Sequence, residues 1–168
     1  MAVAGTMALD GFLARHSALP LRATLGSTML YHGISKLKKG GVEQTTGFFE
    51  HIGIKPGRPW ALATGWTELL AGALNLLGIG TRAAALSIIV TQTVAIAKVH
   101  ASKGFDVQKG GYEFNLSLIA AALGLLLGGP GKVSVHQALL PRVSRRRGLG
   151  LLRRRSASPL ARLSWFLA

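Results

Sequence analysis

The 168-residue chain contains no cysteine. Disulfides, thiolate metal sites and dithiol redox chemistry are therefore excluded within it. It is also poor in acid: six Asp and Glu stand against twenty Lys and Arg, for a formal net charge of +14. Charged residues make up 15% of the chain, where a soluble globular domain carries about 25%. The hydrophobic share of 49% is too high for a disordered chain. Cationic and apolar residues are segregated along the sequence, and the length suits one domain.

What is present is a set of long apolar blocks. Trp60 to Ile79 holds twenty residues and one charge, Glu68. Ala83 to Ala97 has fifteen uncharged residues between Arg82 and Lys98, and Phe114 to Gly131 has eighteen. Leu19 to Leu37 is a further block, with Arg22 and Lys36 near its ends. A bilayer core about 30 Å thick takes roughly 20 helical residues. Two blocks meet that length alone. The third gains reach if Arg82 and Lys98 extend toward the interfaces. A soluble bundle would need charged outer faces, which these blocks lack. Strands are disfavoured, because the runs are long and rich in Ala, Leu and Gly. The expected fold class is all-α: a polytopic membrane protein, a four-transmembrane-helix bundle with a short interfacial helix in the first loop.

The connections fit this. Lys38-Lys39-Gly40-Gly41 ends the first helix. Thr46 to Ile52 is the expected interfacial helix, with Phe48 and Phe49 toward lipid, and Trp60 sits at the membrane boundary. Gly128-Gly129-Pro130-Gly131 stops the last span. The N-terminal stretch has no basic start and carries Asp10, unlike a secretory signal. Leu9, Phe12 and Leu13 are expected on an interfacial helix.

From Pro141 the chain carries eight arginines and no acid. The clusters Arg145-Arg146-Arg147 and Arg153-Arg154-Arg155 read as a juxtamembrane segment for anionic lipid or a partner protein, each cation contributing about 1 kcal/mol near such a surface. Nucleic acid is not the expected partner, and a solvated tail is the plain alternative. Four spans place both termini on one side. That side holds the tail arginines with Arg15, Arg22, Arg82 and Lys132, twelve cations against eight opposite. The positive-inside rule then puts both termini in the cytoplasm, in a multi-pass inner (plasma) membrane protein.

Ionisable residues in membrane spans default to a bundle interior and a functional role. Gly65, Glu68, Gly72 and Asn75 form one stripe at helical spacing. Arg22, Gly26, Met29, Gly33 and Lys36 form another, and Glu113, Ser117, Ala120, Gly124 and Gly128 a third. Such stripes also serve plain helix packing. Alternating helix direction gathers His32, Lys36, Lys98, His100 and Glu113 at one membrane face, with Glu68 about two turns deeper and Glu50 and His51 above. Ion pairing alone would account for acids opposite lysines. The functional alternative is a polar pocket for a quinone headgroup or a proton relay. No metal is expected: His-x-x-His and Glu-x-x-His pairs are missing, and nearby lysines repel cations. Gly128 to Lys132 lacks the spacing of a phosphate loop.

Leu21-Arg22-Ala23-Thr24-Leu25-Gly26, followed by His32-Gly33-Ile34-Ser35-Lys36-Leu37, resembles the opening of the DoxX family of small membrane proteins. Thr67-Glu68-Leu69-Leu70-Ala71-Gly72, Leu76-Leu77-Gly78-Ile79-Gly80-Thr81-Arg82, Val99-His100, Gly111-Tyr112-Glu113-Phe114 and Gly129-Pro130-Gly131 continue the resemblance in order, over about Leu21 to Val135. It implies a four-helix membrane bundle and an association with oxidoreduction, since related polypeptides form a membrane subunit of a thiosulfate:quinone oxidoreductase. The polar positions it implies are Arg22, His32, Lys36, Glu68, Arg82, His100 and Glu113, and all match.

The expected organisation is an N-terminal arm over 1–18, a membrane domain over 19–135 and a basic tail over 136–168. The expected function is a subunit supporting a quinone-linked redox system. Glu68, Glu113 and His100 would exchange protons with the headgroup, while Arg22, His32 and Lys36 bind it. No covalently bound cofactor is expected, quinone being the candidate ligand. A non-catalytic accessory subunit, held to a larger membrane complex by the basic tail, is the alternative. Whether the chain itself turns over a substrate stays open, and a carrier is disfavoured by the absence of an inverted repeat.

Overall fold

The computed structural model describes residues 12–13 and 16–139, and these residues are helical with no strand among them. The arginine clusters of the tail and most of the N-terminal arm lie outside the described residues. Four long helices form the core: α1 (Ala18–Leu37), α3 (Gly57–Leu77), α4 (Thr81–Ala95) and α5 (Glu113–Gly128). A shorter α2 (Gly41–His51) joins α1 to α3, and α6 (Val135–Leu139) follows the core. The all-α expectation holds. The interfacial segment, expected from Thr46, begins earlier, because the chain turns on Gly41. A side chain at Gly41 would stand 2.2 Å from the Ser35 carbonyl oxygen, so this tight return needs glycine.

α1 and α3 run antiparallel in close contact. Gly26 faces Leu76, Gly33 faces Leu69, Gly72 faces Leu30, and Gly65 faces Leu37. A Cβ on Gly33 would stand 2.5 Å from the Leu69 backbone nitrogen. The two small-residue stripes are thus the surfaces on which these helices meet, as apolar solvent favours. α4 and α5 form the second antiparallel pair. Leu25, Met29, Ala84, Ala85, Ile88, Ala122 and Leu125 fill the centre.

The helix ends have local causes. α3 stops at Gly78, which has φ of +69°. The Gly78 N–H donates to Asn75 O, and the Ile79 N–H to Leu74 O, the paired bonds of a Schellman ending. α4 instead continues through a π turn (Ile96–His100) and a short 3-10 turn (Ala101–Lys103). This makes one helical run of 23 residues, Thr81–Lys103, long and apolar enough to cross a membrane by itself. The shortest block in the sequence thus gives the clearest spanning helix. α5 is apolar but has 16 residues, about 24 Å at 1.5 Å per residue. α1 and α3 have 20 and 21 residues, but with polar and small buried faces they are not apolar enough to pass as lone spans.

The third stripe is not the buried face of its helix, although Gly124 lies against Leu21 of α1. α5 buries Asn115, Leu118, Ala122 and Leu125, leaving Ser117, Ala120, Gly124 and Gly128 exposed. Their small side chains offer little apolar area, and the larger Leu118 and Leu125 win the core. The helices carry large apolar side chains outside and bury polar ones beside the apolar core. Trp66, Leu70, Leu86, Val90, Leu116, Leu123 and Leu127 are exposed, while Arg22, Glu68, Asn75, Gln92 and Asn115 are buried. In water each exposed Leu or Val forgoes about 1.5–3 kcal/mol of burial. Such a surface is at rest in hydrocarbon.

Candidate functional site

At one end of the bundle lies Arg22, 4% exposed. Its guanidinium donates to Asn75 O (2.8 Å), Leu76 O (2.8 Å), Pro130 O (3.0 Å) and Val133 O (2.5 Å). Asn75 and Leu76 belong to the last turn of α3, where backbone carbonyls lose their helical donors and a cation is favoured. Arg82 acts alike, with Nε donating to Leu126 O at 3.1 Å, near the end of α5. Gly78 is pressed onto this clamp: a Cβ there would lie 2.6 Å from the Arg22 guanidinium carbon. Arg22 is therefore a tie between α1, the end of α3 and the segment after α5. It does not join Lys36, fourteen residues later and about 21 Å along the helix. The expectation that Arg22 shares a ligand site with Lys36 is corrected by that separation.

At the opposite end the helices do not close. Lys36 of α1 donates from Nζ to Glu68 Oε2 of α3 at 2.5 Å, the carboxylate side chain 7% exposed. Across the bundle, Asn115 Nδ2 of α5 donates to Gln92 Oε1 of α4 at 2.8 Å. His100, in the π turn, donates from Nδ1 to Gly110 O at 2.6 Å. That bond leaves Nε2 of the neutral ring as an acceptor. A π turn is rare, and frequently marks functional sites. These side chains, with half-buried His32, line a cavity of about 290 Å³.

A second cavity of about 480 Å³ adjoins it. Lys36, Glu68, Gln92, Ala95 and His100 line both. Its other walls are mostly apolar, with Phe48 and Phe49 of α2, Trp60 and Ala63 of α3 and Val90 and Val94 of α4, and they include Thr64, Thr67, Thr91 and Lys98. α2 is held over it by local bonds, including Glu50 Oε1 accepting from the Gly57 N–H at 3.3 Å. Glu50 thus caps α3, while His51 is exposed and lines neither cavity.

Of the residues expected at one face, His32, Lys36, Glu68 and His100 are brought together, with Lys98 on the apolar cavity. Glu113 is not. Its Oε2 accepts from the Val107 N–H at 3.2 Å, and it lines neither cavity. The reason is helical phase. Glu113 and Asn115 are two residues apart, about 200° around α5, and Asn115 takes the inward position. Gln92 and Asn115 were not anticipated, because attention to ionisable groups passes over amides. Their signal was available: they are the amide side chains inside two otherwise charge-free blocks. Among the described residues, no three His, Asp or Glu side chains are grouped to hold a metal ion.

Chemically, the cavity offers a carboxylate paired with an ammonium, an amide pair and imidazole nitrogen, in a low-dielectric setting where each hydrogen bond strengthens. Both donors and acceptors face a space of small-molecule size.

Comparison with known proteins bears on this architecture. The chain is 36% identical over 76 residues to an uncharacterized protein of Haemophilus influenzae, covering 45% of this chain and 50% of that protein. This chain thus aligns with half the length of that relative. It is 29% identical over 141 residues to an uncharacterized membrane protein of Mycobacterium tuberculosis, covering 76% of this chain and 84% of that one. No solved structure matches. The DoxX profile matches residues 17–101, half the chain, from the start of α1 through the π turn that carries His100. The resemblance read from the motifs is thereby confirmed, and the chain, an all-helical membrane protein, belongs to the DoxX family.

Proposed function

We propose that this chain is a four-span inner-membrane subunit of a quinone-linked oxidoreductase system, with the quinone headgroup bound in the cavity at the Lys36–Glu68 end. The observation that carries this reading is the juncture of a cavity lined by Lys36, Glu68, His100 and Asn115 with a mostly apolar one at a shared wall. α1, α3, α4 and α5 span the bilayer, and α2 lies along the interface. Both termini are cytoplasmic by the cation count, so the site lies in the outer half of the bundle. The tail clusters Arg145–Arg147 and Arg153–Arg155 bind anionic lipid or a neighbouring subunit.

Reduction of a quinone takes two electrons and two protons. With no cysteine in the chain, thiol donors lie elsewhere, and a partner redox protein supplies the electrons. Protons pass through Glu68 and His100. Lys36 keeps the Glu68 carboxylate oriented. His100, held by Gly110 O, presents Nε2 to a headgroup oxygen: the neutral ring takes a proton from the quinol hydroxyl and becomes imidazolium, and in the reverse direction the imidazolium gives that proton to the quinone carbonyl. Gln92 and Asn115 position the ring by hydrogen bonds.

The test is equilibrium binding of a chainless methoxy-substituted benzoquinone to the full chain in lipid nanodiscs, corrected for empty discs. Wild type should bind, Glu68→Gln and His100→Ala should bind about tenfold more weakly, and Glu113→Gln should match wild type. No binding by wild type, or equal binding by all four proteins, refutes the reading.

A further inference from the structure

Beyond the wall it shares with the polar cavity, the apolar cavity has no role in the proposed proton exchange, yet it is the larger of the two. It lies between α2, α3 and α4, and its apolar walls are Phe48, Phe49, Trp60, Ala63, Val90 and Val94, with Thr64, Thr67, Thr91 and Lys98 among them. Phe48, Trp60, Val90 and Val94 are 44–54% exposed, so the cavity opens sideways, through the surface that lipid solvates. Inward it ends on Lys36, Glu68, Gln92 and His100, the side chains that also bound the polar cavity. Each space is near the usual small-molecule range of about 300–1,000 Å³. Polar groups at one end and an open apolar slot at the other match a molecule with a compact hydrogen-bonding head and one apolar chain.

We infer that the groove under α2 is the chain-binding half of this site, and that Phe48, Trp60, Ala63 and Val94 select ligands by their apolar chain. The inference rests on the preceding assignment of the headgroup. Continuity carries it: a head held between Glu68 and His100 has the groove as its exit toward lipid. Each methylene that enters leaves a wetter interface for apolar contact, so affinity climbs with chain length until the groove is filled.

The experiment compares two quinones that share a headgroup, one chainless and one with a decyl chain, on the full chain in nanodiscs corrected for empty discs. Ala63→Phe and Val94→Phe narrow the groove from opposite helices and leave the polar residues in place. Wild type should prefer the decyl compound by about tenfold or more. Both variants should lose that preference while binding the chainless compound as wild type does, which also reports that they fold. If both variants retain the decyl preference, the groove is not the chain site, although the headgroup assignment stands. If both compounds weaken equally, the groove is not a separate subsite, and the inference fails. If wild type binds neither compound, the headgroup assignment falls first and the chain site with it.

Discussion

Each end of the bundle holds a cation from α1, buried at Arg22 and half-buried at Lys36, and treats it differently. Arg22 is surrounded by four backbone carbonyl oxygens, each within hydrogen-bond distance. Lys36 meets one carboxylate and borders two cavities. The guanidinium's fixed fork suits several acceptors at once, whereas an ammonium is a compact charge on a flexible stem. One end is a tie that completes the ends of helices. The other is a polar wall with room next to it. A charged side chain inside the bundle therefore does not by itself mark a site; what it bonds to and what it lines decide.

That contrast can be broken most strongly at Arg22. Arg22→Met leaves four carbonyls without their donor, and the expected loss is about 3 kcal/mol or more, read as a lowered thermal unfolding midpoint in detergent. Headgroup binding by the fraction that folds should be unchanged. Next comes the helix crossing that sets both ends. Gly33→Val places carbon against the Leu69 backbone, and overpacking of this kind costs about 1–3 kcal/mol. The same unfolding measurement checks it, with no gain in stability from Gly40→Ala as the comparison, since Gly40 has φ of +81° and open space around it.

At the other end, Lys36→Met should cost about 1–2 kcal/mol by leaving Glu68 unpaired. Lys36→Met combined with Glu68→Met should recover most of that stability, because replacing both partners of a buried pair is often neutral. Binding should not recover, and this double-mutant cycle separates packing from chemistry. The smallest effect belongs to Glu113→Gln. It should shift stability by no more than about 0.5 kcal/mol, in the same unfolding assay. A large effect there would return Glu113 to the site.

Much of this was legible residue by residue. The charge-free blocks located the long helices, and Gly78 and Gly129 marked two of their ends. The patterns Gly26, Gly33 and Gly65, Gly72 marked one face on each of α1 and α3, because a three- or four-residue spacing puts side chains on one face whatever the partner; that the two faces meet came from the structure. The rotation of α5 was not legible. That helix is apolar nearly all round, so periodicity gave no preferred face, and its small-residue stripe was read as buried when Asn115 and Leu118 are. The extension of α4 past Lys98 was hidden too, because charges at its end resemble a stop until a π turn carries the helix through them.

From sequence alone came the helical class, the approximate extents of the long helices, the small-residue faces of α1 and α3 and the family, since each depends on composition and on spacing along one chain. Only tertiary structure decided that Arg22 is a tie, that Glu113 turns to its own loop, and that Gln92 and Asn115 complete the wall around Glu68 and His100. These outcomes depend on which carbonyls, amides and empty volumes come together from different helices. That is a matter of rotation and distance between segments, and a linear order of residues does not contain it.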